Sequence, residues 1–108
     1  TRTYCYYSDA IDAILKVINY GDTGETYNIG NDNPELSALD LIDIFSSVIG
    51  EKIDYKLVAY PETYPQDEPS RRLPSIQKIK RDLAYYPKIS IEEGLMRTYN
   101  LLKDDFKD

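Results

Sequence analysis

The proline-rich segment 61–74 limits what this chain can fold into more than any other feature. It contains Pro61, Pro65, Pro69 and Pro74. Each proline fixes its own φ and lacks the N–H that a helix interior or a sheet ladder requires. The segment is therefore predicted to be a long loop. Loops of about 12 or more residues within compact domains are usually functional or disordered.

The rest of the sequence predicts an α/β fold, a small mixed module of short strands and about four helices. The chain has 108 residues, which suffices for one domain, since domains hold roughly 100–200 residues. Strands are predicted at residues 4–7, 25–29 and 52–58, from aromatic runs and from alternating apolar and polar side chains. The predicted N-cap residues of the four helices are Ser8, Ser37, Ser75 and Ser90.

The first predicted helix carries an apolar stripe. Ile11, Ile14, Leu15 and Ile18 recur at helical spacing before Gly21, which is typical of an amphipathic helix. Because such helices gain most of their stability from packing of the apolar face, the stripe is predicted to be covered by another part of the structure.

Composition excludes several kinds of chemistry. The chain has no histidine and one cysteine, Cys5, so it can build neither a Ser-His-Asp nor a Cys-His mechanism, and neither a disulfide nor a Cys-x-x-Cys zinc site. No metal is predicted, since the carboxylates match no calcium-loop pattern. The five glycines stand singly, so no dinucleotide fingerprint and no cofactor site are predicted within this chain.

Charge and hydropathy restrict the partners. A formal charge of −6 repels polyphosphate, so sequence-independent binding of nucleic acid is not expected. No apolar run approaches the ~20 residues that span a bilayer, so no membrane association is expected either. The single cysteine fits a reduced, cytoplasmic setting.

Two arginines at the end of the proline-rich loop form the sharpest candidate binding site. Arg71 and Arg72 precede the third predicted helix, and guanidinium groups present a donor fork that matches phosphate oxygens. The alternative is that both arginines pair with Asp67 and Glu68 on a solvated loop. Spacing alone leaves both interpretations open.

Arg2 and Tyr4 form a second candidate. Residues i and i+2 of an extended strand point to the same face, so this guanidinium and this ring could hold a phosphate and stack on a sugar or base. The alternative for Arg2 is a frayed terminal charge. Cys5 is predicted to be a small buried apolar group and no nucleophile, because no base stands near it.

Four ordered motifs resemble one enzyme family. Residues 1–10 (TRTYCYYSDA) resemble its Arg-x-aromatic-x-Tyr-Val-x-Asp segment, and residues 24–30 (GETYNIG) match its Tyr-Asn-Ile-Gly strand. Residues 67–76 (DEPSRRLPSI) resemble its substrate-loop arginine motif, and residues 86–95 (YPKISIEEGL) its closing Trp-x-Pro-x-x-Ser-Leu-Glu-Glu-Gly-Leu pattern. The chain is therefore similar to the C-terminal substrate-binding part of NAD-dependent nucleotide-sugar epimerases and dehydratases, which are extended short-chain dehydrogenases/reductases. Within that family it looks most similar to UDP-glucuronate decarboxylase.

The resemblance implies a role for three residues. In that family the arginines matching Arg2 and Arg72 clasp the nucleotide diphosphate, and the aromatic matching Tyr4 lies near the nucleotide. The departures from the family pattern are Tyr7 for valine, Tyr86 for tryptophan and Ser75 for aspartate.

The resemblance also implies that residues 1–108 form one C-terminal substrate-binding domain of a longer enzyme. The Rossmann half that binds NAD, together with all catalytic residues, would lie upstream of Thr1. The segment is then not catalytic alone, and its partners would be a nucleotide-diphosphate sugar and the missing Rossmann half, within a homodimeric parent. The face that rests on that half is expected to cause self-association or partial disorder of the isolated segment.

A second hypothesis remains open. The chain has 11 tyrosines, and tyrosine suits surfaces that are partly apolar and partly wet. The chain could therefore be a free-standing, non-enzymatic interaction module that binds another protein through a tyrosine-rich face.

Overall fold

The regular structure is almost entirely helical in the computed structural model, which describes residues 1–106. Helix α1 spans Tyr7–Tyr20, α2 spans Ala38–Ile49, α3 spans Gln77–Leu83 and α4 spans Ile91–Leu102, and a 3₁₀ turn follows at Lys103–Phe106. The predicted four helices are confirmed.

The prediction of short strands is wrong for the described residues. Backbone pairing of the sheet type is limited there to two isolated bridges, an antiparallel one between Arg2 and Leu36 and a parallel one between Arg2 and Arg72. A strand requires a neighbouring backbone that accepts and donates its ladder hydrogen bonds. Residues 52–58 alternate as a strand would, but they lie exposed apart from the half-buried Ile53. Residues 4–7 are too few, because α1 already begins at Tyr7.

The N-cap predictions hold for α2 and α4. The Oγ of Ser37 accepts a hydrogen bond from the N–H of Asp40 at 3.1 Å, and the N–H of Ser37 donates to the Asp40 carboxylate at 2.9 Å. These bonds hold the pKa of Asp40 below its usual value. The Oγ of Ser90 accepts from the N–H of Glu93 at 3.1 Å. Gly50 ends α2 with a left-handed φ of 70°, which glycine adopts without steric cost.

The N-cap predictions are wrong for α1 and α3. Tyr6 and Ile76 occupy the two N-cap positions, and neither provides a capping side chain. Ser8 therefore lies inside the first turn of α1. Ser75 lies one residue ahead of the α3 cap, where its carbonyl accepts a hydrogen bond from the Asn28 side chain at 3.2 Å.

The buried core is small and lies where α1 packs against α3. Its five members are Ala13, Ile76, Ile79, Leu83 and Tyr85, and the partly buried Val17, Tyr27 and Ile29 pack against them. A second contact joins α2 to α4, where the rings of Phe45 and Tyr99 meet edge to face with their centroids 5.9 Å apart.

The apolar stripe of α1 is not covered by residues 1–106. Ile11, Ile14, Leu15 and Ile18 are 50%, 46%, 51% and 72% exposed. The radius of gyration is 16.8 Å, whereas a compact domain of this size has about 13 Å. The described part of the chain is therefore more open than a self-contained domain, and its small core buries little of its apolar surface.

Candidate site: an arginine pair bridged by a glutamate

Three distant segments of the chain meet at Arg2. The N–H of Arg2 donates to the carbonyl of Leu36 at 2.8 Å, and the N–H of Leu36 donates to the carbonyl of Arg2 at 2.8 Å. On the other side, the N–H of Arg72 donates to the carbonyl of Thr1 at 3.0 Å. These backbone bonds hold the end of the proline-rich loop beside the first residues of the chain.

This pairing brings two of the three predicted site residues together. The Nη2 atoms of Arg2 and Arg72 contact the same oxygen, Oε1 of Glu68, at 3.3 Å and 2.5 Å. The side chains of Arg2 and Arg72 are 34% and 56% exposed. Two guanidiniums therefore converge on one point at the surface, and a carboxylate occupies that point.

Arg71 is held apart from this pair. Its Nε donates to both carboxylate oxygens of Glu35, at 2.8 Å and 2.5 Å. This bond holds the pKa of Glu35 below its usual value and raises that of Arg71. Successive residues of an extended backbone point to opposite sides, which is why Arg71 and Arg72 take different partners. Arg71 thus ties the loop to the segment before α2, and its carboxylate partner differs from the one that Arg2 and Arg72 share.

The loop that carries these groups is ordered by turns. The N–H of Tyr64 donates to the carbonyl of Pro61 at 2.9 Å, and the N–H of Glu68 donates to that of Pro65 at 3.3 Å. The rings of Tyr60 and Tyr64 stack with centroids 4.2 Å apart. Glu68 is therefore the last residue of the second of two successive turns.

No hydrogen bond or cation-π contact joins Tyr4 to Arg2 or Arg72 within the described residues. Its ring is 40% exposed, and it lines a cavity of about 240 Å³ between the first residues of the chain and the two helices α2 and α4, together with Cys5, Leu41 and Leu95. Burial raises the pKa of the Cys5 thiol, which disfavours the thiolate form and agrees with a non-nucleophilic role.

Two buried polar groups that the sequence did not single out connect these segments. The carboxylate of Asp9, only 5% exposed, accepts hydrogen bonds from the backbone N–H groups of Lys88 and Ile89. The hydroxyl of the fully buried Tyr85 donates to the carbonyl of Gly30 at 2.9 Å. The position of Asp9 in the first turn of α1 was visible in the sequence, but its long-range partners were not.

No group of three or more histidine, cysteine, aspartate or glutamate side chains within residues 1–106 could hold a metal ion. No helix in the same range is long and apolar enough to cross a membrane.

Comparison with known proteins shows which enzymes this chain is similar to. The predicted resemblance is confirmed: over nearly its whole length, the chain is homologous to nucleotide-sugar decarboxylases and dehydratases. In particular, UDP-glucuronic acid decarboxylase 3 of Arabidopsis thaliana is 36% identical over 107 residues, which are 99% of this chain and 28% of that enzyme. dTDP-D-glucose 4,6-dehydratase of Bos taurus is 31% identical over 108 residues, 98% of this chain and 30% of that enzyme.

Two solved enzyme structures share the fold of this chain. The UDP-glucuronic acid 4-epimerase of Bacillus cereus, solved with a fluorinated UDP-glucuronic acid and NAD, superposes with a TM-score of 0.81 at 26% identity over 97% of this chain and 32% of that chain. The Bordetella bronchiseptica enzyme WbmF gives a TM-score of 0.75 at 24% identity over 96% of this chain and 30% of that chain. No family model matches the chain. The chain spans less than a third of the length of these relatives.

Proposed function

We propose that residues 1–108 form the substrate-binding portion of an NAD-dependent nucleotide-sugar epimerase, dehydratase or decarboxylase. In this proposal Arg2 and Arg72 clasp the nucleotide diphosphate, and Tyr4 lies beside the nucleotide. The single observation that carries the proposal is the convergence of the Arg2 and Arg72 guanidiniums on one carboxylate oxygen.

The chemistry of that point suits a diphosphate. A carboxylate oxygen between two guanidiniums occupies the same kind of position as a phosphate oxygen, because both are anionic acceptors of charge-assisted hydrogen bonds. Each such bond contributes roughly 1.5–3 kcal/mol. The chain as a whole carries a charge of −6, so a phosphate requires a local concentration of positive charge such as this pair.

The remaining parts of the enzyme would come from outside this segment. NAD, the Rossmann half and the catalytic residues belong in this proposal to the larger part of the polypeptide that the relatives possess. The chain alone is then not catalytic. The exposed α1 stripe and the open shape of the chain support this division, because both leave apolar surface that a neighbouring domain would cover.

Replacing Arg72 tests the clasp. In the complete polypeptide, Arg72→Ala and Arg2→Ala are each expected to weaken UDP binding by about 1.5–3 kcal/mol, since each removes one charged donor group from the diphosphate. Titration calorimetry with UDP measures the change. The matched control is Arg81→Ala, because Arg81 is an exposed arginine paired with its neighbour Asp82 on α3; it should leave the affinity within about twofold. Unchanged affinity in Arg72→Ala would contradict the proposal.

Replacing Ile18 tests whether the α1 stripe is covered in the complete polypeptide. In the complete polypeptide, Ile18→Asp is expected to lower the free energy of unfolding by about 1.5–3 kcal/mol, because it places a charge where an isoleucine is buried by the neighbouring domain. Urea unfolding measures this, with Asn19→Asp, which introduces the same charge at the exposed adjacent position, as the control. Equal, small effects of both substitutions would show that the stripe is solvated.

The second candidate is the free-standing interaction module. The exposed rings of Tyr7, Tyr20, Tyr55 and Tyr60, each more than half accessible, favour it. It differs from the first candidate in two observable respects: the natural reading frame would encode no glycine-rich dinucleotide fingerprint ahead of Thr1, and the protein would not bind UDP.

A further inference from the structure

Glu68 occupies the point at which the two arginines converge. Its Oε1 accepts from Nη2 of Arg72 at 2.5 Å and from Nη2 of Arg2 at 3.3 Å, and its side chain is only 25% exposed. An anion that binds between the same two guanidiniums has to take over these donors. Glu68 and a diphosphate cannot both remain there, because two anions within hydrogen-bonding distance of one point repel each other strongly.

Glu68 can be displaced without unfolding a helix or a sheet. It lies in the proline-rich loop, and the loop residues next to it, Asp67 and Pro69, are exposed. Its backbone is held by a single turn, in which the N–H of Glu68 donates to the carbonyl of Pro65 at 3.3 Å. A change of side-chain rotamer or a small movement of this turn therefore frees both arginines.

We propose that Glu68 is an internal competitor, which occupies the anion site in the empty protein and lowers its affinity for every anion that the Arg2–Arg72 pair binds. This inference rests on the proposed function, and it adds that Glu68 regulates anion binding at the Arg2–Arg72 site. The apparent affinity of a site that is open for only a fraction of the time is reduced by that fraction. Since the fraction is a property of the empty protein, the reduction is the same for different anions.

Removing the charge of Glu68 tests this inference. Glu68→Gln retains the size of the side chain but loses the two ion pairs, so the complete polypeptide is expected to bind both inorganic pyrophosphate and UDP about three- to twentyfold more tightly. The factor should be the same for the two ligands. Titration calorimetry measures both affinities, and a thermal melt verifies that the variant is folded. Glu68→Ala is the second variant and should act in the same direction.

The control is Glu62→Gln. Glu62 is an exposed acid in the same loop, and no ion pair joins it to another described residue. Its replacement removes the same charge and should change the two affinities by less than about twofold, because exposed charges away from the site are screened.

The outcomes separate this inference from the proposed function. Tighter binding of both ligands by one common factor, absent in Glu62→Gln, supports the competitor. If Glu68→Gln and Glu62→Gln changed the affinities equally, the effect would come from the change in net charge alone, and the inference would be overturned. Weaker binding in Glu68→Gln would mean that Glu68 holds the arginines in position, and this overturns the inference while the clasp remains. If neither the unsubstituted protein nor either variant binds UDP or pyrophosphate, the proposed function fails together with the inference.

Discussion

Replacing Tyr85 by alanine is expected to lower the free energy of unfolding by about 3–5 kcal/mol, which is the range for removing a large buried aromatic side chain. Tyr85 is fully buried and belongs to a cluster of five buried residues within residues 1–106, so few other contacts can compensate for the cavity. Its hydroxyl also fixes the carbonyl of Gly30. Urea unfolding followed by circular dichroism measures the loss, and an effect below about 1 kcal/mol would contradict the assignment of Tyr85 to the core.

The matched control for this substitution is Tyr85→Phe, which keeps the ring and removes the hydroxyl. It should cost about 1–3 kcal/mol, because the carbonyl of Gly30 is left buried without a donor.

The same control, Tyr85→Phe, isolates a pH dependence of the stability. Burial, and next the contact with Cys5, raise the pKa of Tyr85. A pKa that is higher in the folded than in the unfolded state gives stability that is complete below the unfolded value near 10 and is lost as the pH rises above it. The unfolding free energy should therefore fall more steeply above about pH 10 in the unsubstituted protein than in Tyr85→Phe.

Helix α2 shows what local sequence patterns can predict. Ser37, the predicted N-cap residue, forms a capping box with Asp40, and Gly50 terminates the helix in the left-handed conformation. Both features depend on residues within a few positions of each other, so the sequence contains all the information that they require. The same holds for α3, where Ile79 and Leu83 are buried at helical spacing and Ile76 is buried at the N-cap position.

The predicted strands show where local patterns fail. An alternating or aromatic run indicates a backbone that suits a sheet, but a sheet forms only where a second backbone lies alongside. Residues 52–58 have the pattern and, within residues 1–106, no partner. The α1 stripe was predicted in the same way: its existence follows from spacing alone, whereas what covers it depends on distant parts of a polypeptide.

The residues of the arginine site could be predicted from the sequence, but not all of their ion-pair partners could. Residue chemistry and the family resemblance together selected Arg2 and Arg72. The alternative interpretation paired both Arg71 and Arg72 with the adjacent acids Asp67 and Glu68, and half of it is correct, since Arg72 does pair with Glu68. The ion pair between Arg71 and Glu35 joins residues that are 36 positions apart, and no local pattern could have indicated it.

Asp9 provides the strongest test of how the segments around the site are held together. It is the aspartate that ends the arginine-aromatic motif of residues 1–10. Its carboxylate accepts hydrogen bonds from the backbone N–H groups of Lys88 and Ile89 at 2.9–3.1 Å. It thereby fixes the start of α1 to the segment that leads into α4, 79 and 80 positions further along the chain.

Asp9→Ala is expected to lower the free energy of unfolding by about 3–4 kcal/mol, because it removes the charge-assisted hydrogen bonds of a buried carboxylate and leaves two backbone donors without acceptors in a partly buried place. The control is Asp12→Ala, one turn further along α1, where a 44% exposed carboxylate pairs with Lys16; it should cost about 0.5 kcal/mol or less. Denaturant unfolding measures both variants, and hydrogen exchange should show faster exchange at the amides of Lys88 and Ile89 in Asp9→Ala alone. If the two aspartates prove equally dispensable, the connection between α1 and α4 must be made by apolar packing, and the buried carboxylate has no structural role.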